Sequence, residues 1–119
     1  MAEGKMGAVE SRFADIIWAN EPISSTELAK KALEAFGWKK STTYTVLKRL
    51  CDKGMFKNEN GSVTSVVSKT DYYSAQSEKF VEETFDGSLP AFITAFTARK
   101  QLSQEEINEL KQMLDNYKG

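Results

Sequence analysis

The sequence holds no histidine and a single cysteine, Cys51, among its 119 residues. Transition-metal sites are built mainly from Cys and His, so a metal centre would lack its usual ligands, and an intrachain disulfide has no second thiol. Cys51, between Leu50 and Asp52 in a helical pattern, reads as a small residue in or beside the core. Acid–base chemistry would rest on carboxylates, Lys or Tyr, and no spaced carboxylate pair stands outside segments that read as solvated helix faces. These absences argue against an enzyme, a bound metal or another cofactor. Long apolar runs are missing too: no segment approaches the roughly 18 residues that span a bilayer. The opening MAEGKMGAVE has no apolar stretch of a leader peptide, so the cytoplasm is the expected location.

What is present is an ordinary globular composition, 40% hydrophobic and 28% charged, in a chain of a length that suits one compact domain with a small appendage. The net charge of −1 hides a segregation: residues 1–70 carry 11 Lys and Arg against 8 Asp and Glu, whereas residues 71–119 carry 5 against 9. Residues 38–58 concentrate the excess, with Lys39, Lys40, Lys48, Arg49, Lys53 and Lys57 against the lone acid Asp52. Such a cluster is either a phosphate-facing patch or a solvated helix face that happens to be basic.

Hydrophobic periodicity orders the first half. Val9, Phe13, Ile16 and Ile17 share one stripe of a helix that ends near Asn20, before Pro22. Ser24 and Glu27 fit a capping box for a second helix whose buried side is Leu28, Ala32, Leu33 and Phe36, with Gly37 as its stop. A third helix, Ser41 to Leu50 with Gly54 beyond it, has two unlike faces. Thr43, Val46, Leu47 and Leu50 point one way; Ser41 or Thr42, Thr45, Lys48, Arg49 and Asp52 point the other. Hydroxyls followed by cations suit a major groove, where Ser and Thr meet base edges or phosphates and Arg bonds two acceptors of guanine. Residues 55–67 follow, with Asn60-Gly61 as the signature of a two-residue type I′ hairpin and Phe56, Val63, Val66 and Val67 as strand residues.

Three helices and a hairpin in this order predict a winged helix-turn-helix DNA-binding domain over residues 1–70. Thr42, Thr45 and Arg49 are then nearest the bases, Lys39, Lys40, Lys48 and Lys57 meet phosphates, and Ser41, Asn58 and Asn60 complete the DNA-facing set. A winged helix that binds protein without specific DNA affinity is the competing reading. A ligand cavity lined by Trp38, Tyr72, Tyr73 and Phe80 is another, set against those aromatics being core.

Residues 71–119 read as three amphipathic helices. Ser68 and Asp71 cap the first, with Tyr72, Tyr73, Phe80, Val81 and Phe85 inward and Gly87 as its end. Ser88 to Lys100 carries Pro90 in its first turn and the stripe Leu89, Phe92, Ile93 and Phe96. Ser103 and Glu106 form a capping box before Ile107, Leu110, Met113, Leu114 and Tyr117. That much apolar surface exceeds what three short helices bury alone, so a helical dimerisation domain is expected, built on Phe80, Phe85, Leu89, Phe92, Ile93, Phe96, Ile107, Leu110, Met113 and Leu114. The fold class is mainly α with a small β-hairpin.

Trp18, residues 21–29 (EPISSTELA), residues 37–55 (GWKKSTTYTVLKRLCDKGM), residues 85–92 (FDGSLPAF) and residues 102–110 (LSQEEINEL) together resemble the penicillinase repressor family (BlaI/MecI/CopY type) over nearly the whole chain. The resemblance implies a transcriptional repressor that binds double-stranded, palindromic operator DNA as a homodimer and controls β-lactam resistance or related stress genes. It also implies induction through a membrane sensor protease, with the cleaved bond aligning on Ala95 and Phe96; Phe matches the family pattern, whereas Ala stands where Asn is usual. The cysteine cluster of the copper-responsive branch has no counterpart, and the wing lacks the Arg and Tyr residues of many members.

Overall fold

Residues 6–118 are described by a computed structural model, and local signals in the chain account for most of its element boundaries. The opening read over residues 1–10 lies partly outside the described residues, and Gly119 lies outside them. The order is α1 (Ala8–Asn20), β1 (Ile23–Ser24), α2 (Ser25–Phe36), α3 (Lys40–Asp52), β2 (Phe56–Glu59), β3 (Ser62–Ser65), α4 (Lys69–Phe85), α5 (Leu89–Thr97) and α6 (Gln104–Asp115). This is a winged helix-turn-helix, mainly α with a small antiparallel sheet. The chain forms two compact units, Met1–Gln76 and Ser77–Gly119, whose division falls inside α4.

In the first unit α1 ends where Pro22 forbids continuation, and α2 ends where Gly37 takes a left-handed conformation at φ 70°. Asn60 and Gly61 both have positive φ, 55° and 85°, as a type I′ turn requires. That turn sets the register Phe56↔Ser65, Lys57↔Thr64, Asn58↔Val63 and Glu59↔Ser62. The sheet has a third strand that the sequence pattern did not announce. Ile23 and Ser24 pair with Val63 and Ser62, giving the order β1-β3-β2. Two residues are too few for a periodicity signal, and Ser24 simultaneously caps α2 by accepting from Glu27 N at 3.0 Å. The return half of the expected Ser24–Glu27 box is not formed.

The core combines Phe13 and Ile17 of α1, Leu28 and Ala32 of α2, Thr43, Val46, Leu47 and Leu50 of α3, Met55, and Phe56 and Val63 of the sheet. Tilted ring contacts attach the periphery. Trp38 packs on Phe36 at 4.8 Å and Phe13 at 5.3 Å, while Trp18 packs on Phe56 at 5.3 Å and near Tyr72 and Tyr73. Trp18 Nε1 donates to Val67 O at 3.0 Å, and Tyr72 Oη accepts from Met6 N at 3.0 Å. Trp38, Tyr72 and Tyr73 thus pack against the one core, as the reading of these aromatics as core has it. In this unit Val9 and Leu33, expected to face inward, are out in solvent at 46 and 59% exposure, and Val66, expected in a strand, is 60% exposed. Val9 and Leu33 sit at the margins of their helical stripes, and Val66, like Val67, follows the end of β3.

In the second unit Ser103 and Glu106 form the expected reciprocal box, and Ser88 Oγ also caps its helix by accepting from Ala91 N. Helix α5 is shorter than the expected Ser88–Lys100 span. Phe80, Phe85, Phe92 and Phe96 form a chain of ring contacts at 5.7–6.1 Å. No described side chain of this unit is fully buried.

Thr43 exposes nothing to solvent, yet its Oγ1 has no hydrogen-bond partner. A hydroxyl desolvated without a partner costs about 1–3 kcal/mol, and valine keeps the shape without it. Thr43→Val is expected to raise stability by about 1 kcal/mol in urea unfolding with an unchanged m-value; a loss of stability would show that the hydroxyl is bonded.

Candidate nucleic-acid interface

The outward face of α3 follows from its inward one. With Thr43, Val46, Leu47 and Leu50 buried, a 3.6-residue period directs Thr42, Thr45 and Arg49 to the opposite side, along with Ser41, Lys48 and Asp52. All six are exposed. Lys39 and Lys40 open the helix, also exposed, and no side chain caps its first turn. Its free N–H groups and two ammonium groups give this end positive potential.

Individual side chains differ in how free they are. Thr45 Oγ1 donates to Ser41 O at 2.9 Å, which uses its proton and leaves an acceptor lone pair and a methyl group outward. Lys48 pairs with Asp52 at 3.1 Å, both largely exposed. Such i,i+4 pairs are worth about 0.3–0.5 kcal/mol, too little to keep Lys48 from a phosphate. Arg49 Nη1 donates to Glu10 Oε2 of α1 at 3.1 Å, and Lys53 reaches Glu10 Oε1 at 3.5 Å. This contact has no signal in the sequence, because the two residues are 39 positions apart and only the packing of α1 on α3 joins them.

The Glu10 carboxyl is held below its ordinary pKa. Burial pushes it up, but the hydrogen bond from Gly7 N and the charges and hydrogen bonds of Arg49 and Lys53 outweigh burial and hold it below its ordinary value. For Cys51, beside the outer face, burial and the neighbouring Asp52 push the thiol up despite Lys48, so it is a poor nucleophile.

Two open grooves flank α3. One, of about 310 Å³, lies toward the wing, between Tyr44, Leu47, Lys48 and Cys51 of the helix and Asn58 of β2. The other, of about 260 Å³, lies toward α2, where Lys30, Lys39 and Lys40 rim an apolar floor that includes Leu33 and Trp38. On the wing, Lys57 is exposed and pairs weakly with Glu59 at 3.6 Å. Asn58 Oδ1 accepts from Gly61 N at 3.0 Å and so braces the turn, and Asn60 occupies the turn itself. Lys39, Lys40, Ser41, Thr42, Thr45, Lys48 and Arg49 therefore lie on one helix, and Lys57, Asn58 and Asn60 on the hairpin that follows it. Among the described residues there is no cluster of acidic and Cys side chains able to hold a metal ion.

A family profile described as penicillinase repressor matches residues 6–116. The penicillinase repressor of Bacillus licheniformis is 33% identical over 108 residues, covering 87% of this chain and 84% of its own length. The methicillin resistance regulatory proteins MecI of Staphylococcus aureus and of Mammaliicoccus sciuri are each 24% identical over 115 residues, covering 93% of this chain and 94% of their own.

Because the folded pKa of Glu10 is depressed, the stability it contributes is present above the ordinary carboxylate value and is lost as pH falls through the lower, folded one. The stability difference between the unmodified protein and Glu10→Gln is therefore expected to stay constant from neutral pH to about 4.5 and to shrink below it. Urea midpoints measured across that range check this; a difference that does not change down to strong acid would remove the charge from the account.

Proposed function

The chain belongs to the penicillinase repressor family, and from that membership we propose that it represses genes of β-lactam resistance or a related stress response by occupying a palindromic operator as a homodimer. Members of the family are transcriptional regulators and not enzymes. The observation that carries the reading to this chain's own residues is the outer face of α3, a helix whose buried stripe leaves Ser41, Thr42, Thr45, Lys48 and Arg49 no direction but outward. In the proposed complex α3 enters the major groove with Thr42, Thr45 and Arg49 toward the bases. Lys39, Lys40, Lys48 and Lys57 meet phosphates, which supply affinity without sequence information. Asn58 and Asn60 present the wing to the backbone.

Residues 1–70 act as the DNA-binding domain and residues 71–119 as the dimerisation domain in this reading. Exposure supports the second assignment. Phe80, Leu89, Ile93, Phe96, Met113 and Leu114 are between 39 and 70% exposed in the single chain, and at about 25 cal/mol per Å² such apolar surface favours burial against a second copy. Phe85, Phe92, Ile107 and Leu110 complete the proposed dimer surface. Two α3 helices held by one dimer bind half-sites at high effective concentration, so losing the dimer weakens binding by orders of magnitude. Induction would act there. A membrane sensor protease whose signal leads to cutting between Ala95 and Phe96, within α5, would remove the segment that follows. The repressor itself would work in the cytoplasm, and no described helix is long and apolar enough to cross a membrane.

Selection of the tightest sequences from a random pool of short duplexes, followed by fluorescence anisotropy at two salt concentrations, tests the reading. A palindromic site, two chains per duplex, and an affinity that falls by about 10³-fold or more between 50 and 200 mM salt are expected. Weak binding at low salt with no preferred duplex would overturn it and favour a winged helix that binds protein.

A further inference from the structure

We propose that Glu10, a residue of α1 and not of the DNA-facing helix, is a specificity-determining positioning residue: its carboxylate fixes the Arg49 guanidinium so that the remaining edge of the fork meets a base pair in one geometry. The proposal rests on the reading of α3 as the groove-entering helix and adds to it a residue that sequence pattern leaves on a solvated face.

Glu10 is a built anchor rather than a passing surface partner. Its side chain is only 16% exposed. Oε1 accepts from Gly7 N at 3.1 Å and from Lys53 Nζ at 3.5 Å, while Oε2 accepts from Arg49 Nη1 at 3.1 Å. The bond to Gly7 N ties the carboxylate to the backbone at the start of α1, and Phe13, one turn on, is fully buried. The acceptor that Arg49 meets is thus fixed to the core. Arg49 itself remains 54% exposed along its side chain. A guanidinium presents five N–H donors in a planar fork, so a bond at Nη1 orients the plane while leaving donors for an outside acceptor. Reading guanine needs two parallel donors at O6 and N7, and a long side chain that swings freely makes that contact less often.

Electrostatics give the proposal a signature that mere structural support lacks. Glu10 places a negative charge among Arg49, Lys53 and their basic neighbours, and toward phosphate that charge is unfavourable. Its retention therefore lowers sequence-independent affinity while sharpening the contact that carries sequence. Removing it should move non-specific binding and specificity in opposite directions. An unfolding defect lowers affinity for every duplex, and a pure charge effect raises affinity for every duplex while leaving the operator-to-scrambled ratio unchanged.

The test uses the full chain and the operator obtained by selection. Glu10→Gln is compared with the unmodified protein on that operator, on a scrambled duplex at the same salt, and on operators altered at each position. Affinity for the scrambled duplex is expected to hold or rise, while the operator-to-scrambled ratio falls by about tenfold, the discrimination of one bidentate base contact. The loss should fall on the same base pair of each half-site that Arg49→Ala relaxes. The double variant should lose no more than Arg49→Ala alone. Glu10→Asp, which keeps the charge but shortens the reach, should show the same positional loss and decides the matter if Glu10→Gln does not fold. An unchanged ratio, or a loss spread evenly over all positions, overturns the proposal. If Arg49→Ala relaxes no position although a palindrome is selected, the proposal fails and the repressor reading stands; if no duplex is selected, it is the repressor reading that fails.

Discussion

Everything on the outer, basic face of α3 depends on the burial of the opposite stripe of the same helix. Thr43, Val46, Leu47 and Leu50 are locked against α1, α2 and the sheet, and a buried leucine there would cost about 2–5 kcal/mol to truncate. That far exceeds the fractions of a kcal/mol in the surface ion pairs on the opposite face. The helix therefore cannot rotate to satisfy its outer charges, and Thr42, Thr45 and Arg49 are presented because their neighbours are buried. Trp38 fixes the start of the same helix by stacking on Phe13 and Phe36, which carries Lys39 and Lys40 with it.

The wing is placed by the same economy. β3 is the central strand, so the hairpin is not a free flap. Its inner strand pairs with Ile23 and Ser24, Ser25 N donates to Gly61 O at 2.8 Å, and Glu21 Oε1 accepts from Ser65 N at 2.8 Å and Ser65 Oγ at 2.9 Å. The turn before α2 and the tip of the wing are therefore one piece of backbone hydrogen bonding. Lys57 and Asn58 keep a set relation to α3, and the groove between Asn58 and Tyr44 is a consequence of it.

How much of this was legible in the sequence depended on whether a feature is local. Gly37, the Asn60-Gly61 turn, and the Ser68 and Ser103 caps are properties of four or five consecutive residues, and each stands where the pattern put it. The two faces of α3 were equally plain, since a single helix carries both. What was hidden is non-local. β1 is two residues long and exists only because β3 passes beside it. The Glu10–Arg49 bond joins residues that periodicity treats as separate solvated positions. Stripe margins misled for a related reason. Val9 and Leu33 fit a helical period, but a period says which face is inward and not how far around the helix the neighbours reach.

The two units differ in what their sequences complete. In the first, helices and sheet supply one another with partners, and side chains such as Phe13, Leu28 and Val63 reach zero exposure. In the second, caps and turns are as well formed, yet the Phe80, Phe85, Phe92 and Phe96 rings touch chiefly one another and none is fully buried. Secondary structure there is specified locally, while its hydrophobic surface stays largely exposed in the single chain, as the proposed pairing with a second copy requires. For the proposed repressor that division matters, because a protein that binds tightly only in pairs can be switched by acting on the pairing without unfolding the unit that carries α3.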